Sequence, residues 1–331
     1  MRAGIVGRGF IAGVHELALR SLGVELAWTA GRDDDLGSLL DNDRVDVLHV
    51  CTPNDVHARQ ALAALERGVH VVCEKPLAIS TEESRALVEA AETAGVVHAT
   101  CYHARGYPLV EHMRAETAAG VLGELTFVHG RYLCDDVLFP ASGWRVDPQR
   151  SGPSYVVGDL GTHWLDLAEH VTGRQVTEVL ADFRSFAGGP LEDYAVLLLR
   201  LTGGAAGSLV LSAGAAGRKN QLLFECEGRA GGFTWDQERP TELLHRLVDG
   251  PTRLVVKDPL GNAETARPLA RYPAGHGEGY GGAFLNLFAA VYAAAAGRPH
   301  APFPTFRDGH RGVAALEAAV ASGGAWVPVT P

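Results

Sequence analysis

The sequence lacks paired cysteines. Its five, Cys51, Cys73, Cys101, Cys134 and Cys226, are odd in number, widely spaced and free of any Cys-x-x-Cys pattern. Neither a disulfide framework nor a thiolate zinc site is indicated. Cys51, Cys73 and Cys101 each close an apolar, strand-like run, where reduced thiols pack as small hydrophobes, and a cytoplasmic location is expected. A basic surplus is missing too. The 29 Lys and Arg against 39 Asp and Glu leave a net charge of −10, which excludes a phosphate-tracking nucleic-acid binder and a polybasic membrane anchor. No apolar run is long enough to span a bilayer. The most apolar stretch, AFLNLFAAVYAAAA (283–296), carries Phe284, Phe288, Val291 and Ala295 at helical spacing and reads as a core helix. The 14 histidines contain no His-Glu-x-x-His, so no metal is expected. The opening MRAGIVGRGF is already a strand and a turn, leaving no room for a secretory leader. Internal repeats and low-complexity linkers are absent.

What is present is ordinary globular composition, 47% hydrophobic and 21% charged in 331 residues, enough for two domains with their own cores. Residues 1–120 alternate short β-branched runs with helical patterns. AGIV (3–6), VELAWTA (24–30), VDVLHVC (45–51), VHVVC (69–73) and VVHATC (96–101) read as strands. Between them, NDVHARQALAALERG has Asn54 as a helix N-cap and Gly68 as its stop. STEESRALVEAAETAG has a Ser80–Glu83 capping box and ends at Gly95. Such alternation implies βαβ units and a parallel, doubly wound sheet. Residues 121–331 change rhythm: ELTFVHGRYL, VTEVLADFRSF, YAVLLLRLT, AGSLVLSAG, QLLFECEG and TRLVVKD follow one another with glycine-rich turns. An antiparallel meander is expected there, one face covered by helices and the other solvated or covered by a second subunit.

Gly7-x-Gly9-x-x-Ala12 follows the first strand and opens a helix. Gly7 suits a tight turn, Gly9 lets backbone approach a pyrophosphate, and Ala12 lets helix pack on strand, with the phosphates on the helix N-terminus. An acidic residue roughly 20 positions on would hold the ribose of NAD. Gly31 stands there instead, and the adjacent Arg32 suits a 2′-phosphate, so NADP is favoured over NAD, although Asp33, Asp34 and Asp35 follow at once.

Two further motifs close strands of the same half. CTPNDVH (51–57) ends the third and CEKP (73–76) the fourth, and ligands of open parallel sheets bind beyond the carboxyl ends of the strands. Lys75 is held at such a mouth by Pro76, which biases it to extended geometry. In the second half, GDLGTHWLDLAEHVTG (158–173) reads as a helix with an apolar stripe of Leu160, Trp164, Leu167, Ala168 and Val171. Its polar stripe is Asp159, His163, Asp166 and His170. Asp159 and His163 at i, i+4 form either a carboxylate–imidazole catalytic pair or a solvated salt bridge. Asp166 and His170 are read as structural.

The order Gly-x-Gly-x-x-Ala, Thr-Pro-Asn-x-x-His, Glu-Lys-Pro and Asp-x-Gly-x-His-x-x-Asp resembles the glucose–fructose oxidoreductase / inositol dehydrogenase (Gfo/Idh/MocA) family. GWRVDPQRSGPS (143–154) and GHGEGYGGAF (275–284) resemble segments of its sugar- and polyol-oxidising members. The resemblance runs through nearly the whole chain and implies a Rossmann domain over 1–120, then an α/β substrate-binding and oligomerisation domain with a large, mostly antiparallel sheet over 121–331. It implies a catalytic set of Lys75, Asp159 and His163. Gly7, Gly9, Phe10, Ile11, Arg32, Thr52, Pro53, Asn54, His57, Glu74, Lys75 and Pro76 would face an NAD(P) cofactor. Arg145, His163, His276 and Tyr280 would face a sugar or cyclic polyol. One departure stands out: only DDDLGSLLDNDR (33–44) joins the second strand to the Thr-Pro strand, so the Rossmann sheet is expected to be one strand short.

The reaction so implied is hydride transfer between nicotinamide C4 and a secondary alcohol carbon of the sugar. His163 or Lys75 takes the hydroxyl proton, Asp159 orients His163, and Lys75 steadies alkoxide charge. The alternatives are a keto-sugar reductase, a cofactor-dependent redox glycosidase, and a non-catalytic dinucleotide-binding sensor or scaffold; the last has no use for Lys75, Asp159 and His163 together. A homodimer or homotetramer is expected from the open sheet face.

Overall fold

The computed structural model describes residues 1–139 and 143–331. It forms two compact units: Met1–His103 with Tyr280–Val313 and the last residue, and Ala104–Gly279 with Ala314–Thr330.

The first unit is built on five parallel strands, β1 (Arg2–Val6), β2 (Glu25–Ala30), β3 (Val47–Val50), β4 (His70–Cys73) and β5 (His98–Thr100). Their order is β2-β1-β3-β4-β5. These are the five runs expected, and each starts or stops within a few residues of its predicted bounds. Four helices alternate with them: α1 (Phe10–Ser21), α2 (Leu36–Asn42), α3 (His57–Leu65) and α4 (Thr81–Ala94). As the short 33–44 segment requires, α2 alone lies between β2 and β3. Strand residues alternate between two buried faces, as a doubly covered parallel sheet demands. Ile5, Val47 and Val72 share one core with Ala12 and Leu19 of α1. Val6, Leu48 and Val71 share the other with Ala61 of α3 and Leu87 of α4.

Helix ends follow local chemistry with one exception. Ser80 Oγ accepts the Glu83 N–H at 3.2 Å, while the Glu83 carboxylate takes the Ile79 N–H instead of that of Ser80. Gly95 ends α4 in the left-handed region, φ +63°. Asn54 does not cap α3; it opens a 3₁₀ turn, Asn54–Val56, that turns the chain before the helix starts. The preceding Pro53 sets that turn, so the side-chain cap expected at Asn54 is displaced.

The second unit begins with α5 (Pro108–Ala118) and then β6 (Leu125–Leu133), α6 (Pro148–Ser151) and a π-helical turn, Val157–Gly161, that runs into α7 (Thr162–Thr172). The strands β7 (Val176–Arg184), β8 (Tyr194–Leu201), β9 (Ala206–Ser212), β10 (Gln221–Gly228), β11 (Gly231–Asp236), β12 (Glu242–Leu247), β13 (Arg253–Val256) and β14 (Val327–Pro328) complete it. Among the described residues β6–β14 form one sheet, ordered β13-β12-β11-β10-β6-β9-β8-β7-β14. β11, β12 and β14 were not legible as strands, because GGFTWD and ELLHRL offer little β-branching. The sheet is mostly antiparallel but not a simple meander: β6 pairs β9 in parallel, since the chain leaves β6 through α6 and α7 before returning. Val128, Leu199, Phe224 and Trp235 face the helices and are buried. Trp164 of α7 docks there, its Nε1 donating to Leu223 O at 2.9 Å. Phe127, Leu198, Leu244, Leu254 and Val256 point the other way and are exposed.

The two units differ from a division at residue 120. Helix α8 (Tyr280–Ala295) belongs to the first unit, because Phe284, Phe288 and Val291, the apolar stripe expected from sequence, close over α1 and the β1–β3 face. Helix α5 belongs to the second, packed on α7. The last long helix, α9 (Phe306–Ala321), follows α8. Among the described residues no helix is long and apolar enough to cross a membrane.

Candidate active site and dinucleotide turn

In the first unit the predicted residues gather at the carboxyl ends of β1–β4, at the point where strand order reverses between β1 and β3. Gly7 has φ +118°, and a Cβ there would stand 2.2 Å from Cys51 O, so only glycine fits. Gly9 is different. It precedes α1 with no side-chain cap, and a Cβ on it would have no atom within 4 Å. The first turn of α1 therefore presents its backbone N–H groups to an open approach, without an acidic side chain in that turn. This suits a pyrophosphate. Phe10 is exposed beside it and Ile11 half-buried.

At the end of β2, Asp34 Oδ2 accepts the Gly31 N–H at 2.7 Å and pairs with Arg8 Nη2 at 3.0 Å. Asp35 caps α2 through Gly37 and Ser38 N–H. Arg32, predicted to hold a phosphate, is exposed. Asp34 and Asp35 thus have separate tasks, and Asp34 is the carboxylate fixed at the strand end. Sequence reading missed it because it sits three residues beyond the expected position.

Thr52 and Pro53 are half-buried at the end of β3, with Thr52 Oγ1 donating to Gln60 Oε1 at 2.6 Å. His57 is fully buried. Its Nδ1 lies 2.9 Å from Pro76 O and its Nε2 2.9 Å from Thr52 O, so it sits between the Thr-Pro turn and the Glu-Lys-Pro turn, and the single N–H of its neutral ring donates to one of the two carbonyls. Burial pushes its pKa down. Lys75 is half-buried and its bond to Pro76 is cis. Glu74 is buried, with Oε1 3.0 Å from His15 Nε2 and Oε2 accepting the Lys75 backbone N–H at 3.2 Å. Burial alone would raise the Glu74 carboxyl, but the hydrogen bond and charge of His15, with Lys75 behind them, hold it below its ordinary value.

In the second unit Asp159 lies in the π-helical turn and His163 in the first turn of α7. The widened turn departs from the regular i, i+4 register assumed from sequence. His163 is buried, and the Tyr132 ring centre lies 6.1 Å from its own. Arg145 Nε stands 3.9 Å from Asp159 Oδ2, so one predicted sugar contact does lie beside the predicted pair. Asp136 joins them: burial, then the Asp159 charge, push its carboxyl up. Burial first and Asp159 next also raise the Tyr155 phenol. Asp136 was missed from sequence; applying the strand-end rule to the second sheet would have found it, two residues after Cys134. Asp166 and His170 have contacts of their own. Asp166 receives Arg105 Nε at 2.9 Å, and His170 Nε2 lies 3.7 Å from Glu111 Oε2, its pKa pushed down to about 4 by burial.

His276 is exposed in a loop of the second unit that a buried lysine secures. Lys257 Nζ donates to Tyr272 O at 2.7 Å, Pro273 O at 3.0 Å and Glu278 Oε1 at 2.9 Å. Tyr280 belongs to the first unit, its ring centre 4.9 Å from that of His103.

Two family profiles match this chain. The oxidoreductase family with the NAD-binding Rossmann fold matches residues 16–102, and the GFO/IDH/MocA C-terminal domain matches residues 110–234. The chain belongs to the Gfo/Idh/MocA family. Levoglucosan dehydrogenase of Pseudarthrobacter phenanthrenivorans is 30% identical over 294 residues, 73% of this chain and 75% of that protein. An uncharacterized Bacillus subtilis oxidoreductase, YfiI, is 32% identical over 74% of this chain and 65% of its own length. Among solved Gfo/Idh/MocA-like structures, an inositol dehydrogenase homolog from Azotobacter vinelandii complexed with NAD+ superposes with a TM-score of 0.92, at 31% identity, covering 99% of this chain and 97% of that one. Levoglucosan dehydrogenase in complex with NADH and L-sorbose gives 0.89 at 26% identity, covering 100% and 99%.

Proposed function

We propose that the protein is a dehydrogenase of a secondary alcohol on a pyranose or cyclic polyol, with NAD as its cofactor. The observation that carries this reading is Lys75 at the carboxyl end of β4, in a parallel sheet whose Gly7–Gly9 turn is open to a dinucleotide. The names of the relatives, levoglucosan dehydrogenase and inositol dehydrogenase homolog, support the substrate class.

Bound nicotinamide supplies the hydride acceptor. The chain supplies the rest. Gly9 and the first turn of α1 bind pyrophosphate. Lys75 donates to the reacting hydroxyl oxygen and steadies its developing charge. His163 takes the hydroxyl proton on its imidazole, and Asp159 orients it. Arg145 and Asp136 hydrogen-bond other hydroxyls of the ring. NAD is favoured over the NADP expected from sequence because Asp34 keeps a carboxylate at the end of β2, where a 2′-phosphate would be repelled and a ribose hydroxyl held.

Reduced-cofactor absorbance with a panel of inositols, glucosides and anhydrosugars tests this. Turnover of at least one is expected, with kcat/KM for NAD at least about tenfold above that for NADP. No absorbance change with either dinucleotide overturns the reading. The exposed face of the large sheet, with Phe127, Leu244 and Leu254, supports a homodimer or homotetramer. Sedimentation of the pure protein should show a multiple of 35.1 kDa, and a monomer at micromolar concentration would refute it.

A further inference from the structure

Beneath the Glu-Lys-Pro turn lies a buried polar chain that the proposed reaction does not use. His15, on α1, has no solvent exposure. Its Nε2 lies 3.0 Å from Glu74 Oε1 and 3.7 Å from Cys101 Sγ; its Nδ1 lies 3.0 Å from His49 Nδ1 and 3.2 Å from Cys51 Sγ. His49 Nε2 is 3.1 Å from the Tyr292 hydroxyl on α8. The other Glu74 oxygen holds the Lys75 N–H. An ionised carboxylate only accepts, so His15 carries its proton on Nε2, aimed at Glu74, while His49 and Tyr292 fix the far side of the ring.

We propose that His15 is a positioning residue for Lys75, acting through Glu74. It keeps Glu74 ionised and oriented within an apolar strand end, where an unsupported carboxylate would take up a proton. Ionised Glu74 then grips the Lys75 backbone N–H and fixes the turn that carries its side chain. The titratable groups around Glu74 are His15 on α1, Cys51 after β3, His57 on α3, Cys73 on β4, Cys101 after β5, and Lys75. Burial raises all three thiols and lowers His57, and His15 Nε2 makes the 3.0 Å contact with the carboxylate. The proposal rests on the reading that Lys75 meets the reacting alcohol.

The test compares wild type with His15→Phe and His15→Gln. The chain has only three lysines, Lys75, Lys219 and Lys257, so carbon-13 labelling at lysine Cε follows the surroundings of the Lys75 side chain directly, without turnover. In His15→Phe the Lys75 Cε resonance should move from its wild-type position, because Glu74 loses its support and with it its hold on the turn. With a sugar substrate, kcat should fall about 10- to 100-fold and KM change less than about threefold. Gln, whose amide N–H can reach Glu74, should restore most of both, which lost packing alone would not produce. An unmoved Lys75 Cε resonance in folded His15→Phe overturns the proposal. So does metal at one equivalent in the purified protein, since His15, Glu74 and Cys101 offer donor atoms within 4.8 Å of one another and would then be ligands. A wild type that turns over no sugar, yet shows the Lys75 shift, refutes the proposed function and leaves the positioning role standing.

Discussion

Lys75→Ala should lower turnover of any accepted sugar or polyol by about 10²- to 10⁴-fold while leaving dinucleotide affinity within a few-fold of wild type. The lysine stands at the one place in a doubly wound sheet where strand ends face ligand, and it comes from a turn held on three sides. Glu74 holds its N–H, Pro76 follows it, and His57 packs between the Pro76 and Thr52 carbonyls. None of these contacts needs the Lys75 side chain beyond Cβ. Alanine therefore removes the ammonium and keeps the turn. Loss should appear in kcat, because an ammonium that meets developing alkoxide charge acts more strongly in the transition state than on the neutral alcohol. Isothermal titration with NAD checks the binding half of the prediction. Undiminished kcat would remove Lys75 from the mechanism.

Gly7→Ala should destabilise the protein by roughly 3–5 kcal/mol in urea unfolding and abolish dinucleotide binding. Two obstacles coincide: the φ of +118° and a methyl group placed 2.2 Å from the Cys51 carbonyl. Relief would need β1 to move from its neighbours, yet Gly7 N donates to Ala30 O at 2.8 Å and Cys51 N donates to Val6 O at 2.7 Å. Gly9→Ala is the contrasting substitution. With φ −81° and nothing within 4 Å, it should unfold at the wild-type urea concentration and lose only affinity, as its methyl stands in the approach to the helix N-terminus. Equal unfolding midpoints for the two variants would show that the turn is not constrained as described.

Much of the first unit was legible because its signals are local. β-branched runs, glycine stops and a capping serine depend on a few neighbouring residues, and five strands followed from them. The motifs Thr52-Pro53-Asn54 and Glu74-Lys75-Pro76 were readable as strand ends for the same reason. The apolar stripe of α7 was equally clear, with Trp164 and Leu167 buried as its period required. β11 and β12 were not readable, because they are strands through pairing with β10 and each other and carry little propensity of their own.

The site divides along the same line. Sequence alone determined the residue types and their order: the glycine turn, the lysine at a strand mouth, the Asp-His helix. Tertiary structure decided which of them touch and in what state. It buried His57 between the Thr52 and Pro76 carbonyls, moved Asp159 into a π turn, and set Asp136 beside it. It also placed Asp34 at the end of β2 and His15 against Glu74, 59 residues away. The physical reason is that periodicity and turn chemistry act over a few residues, whereas a buried hydrogen bond is satisfied by whatever the packed core brings within about 3 Å.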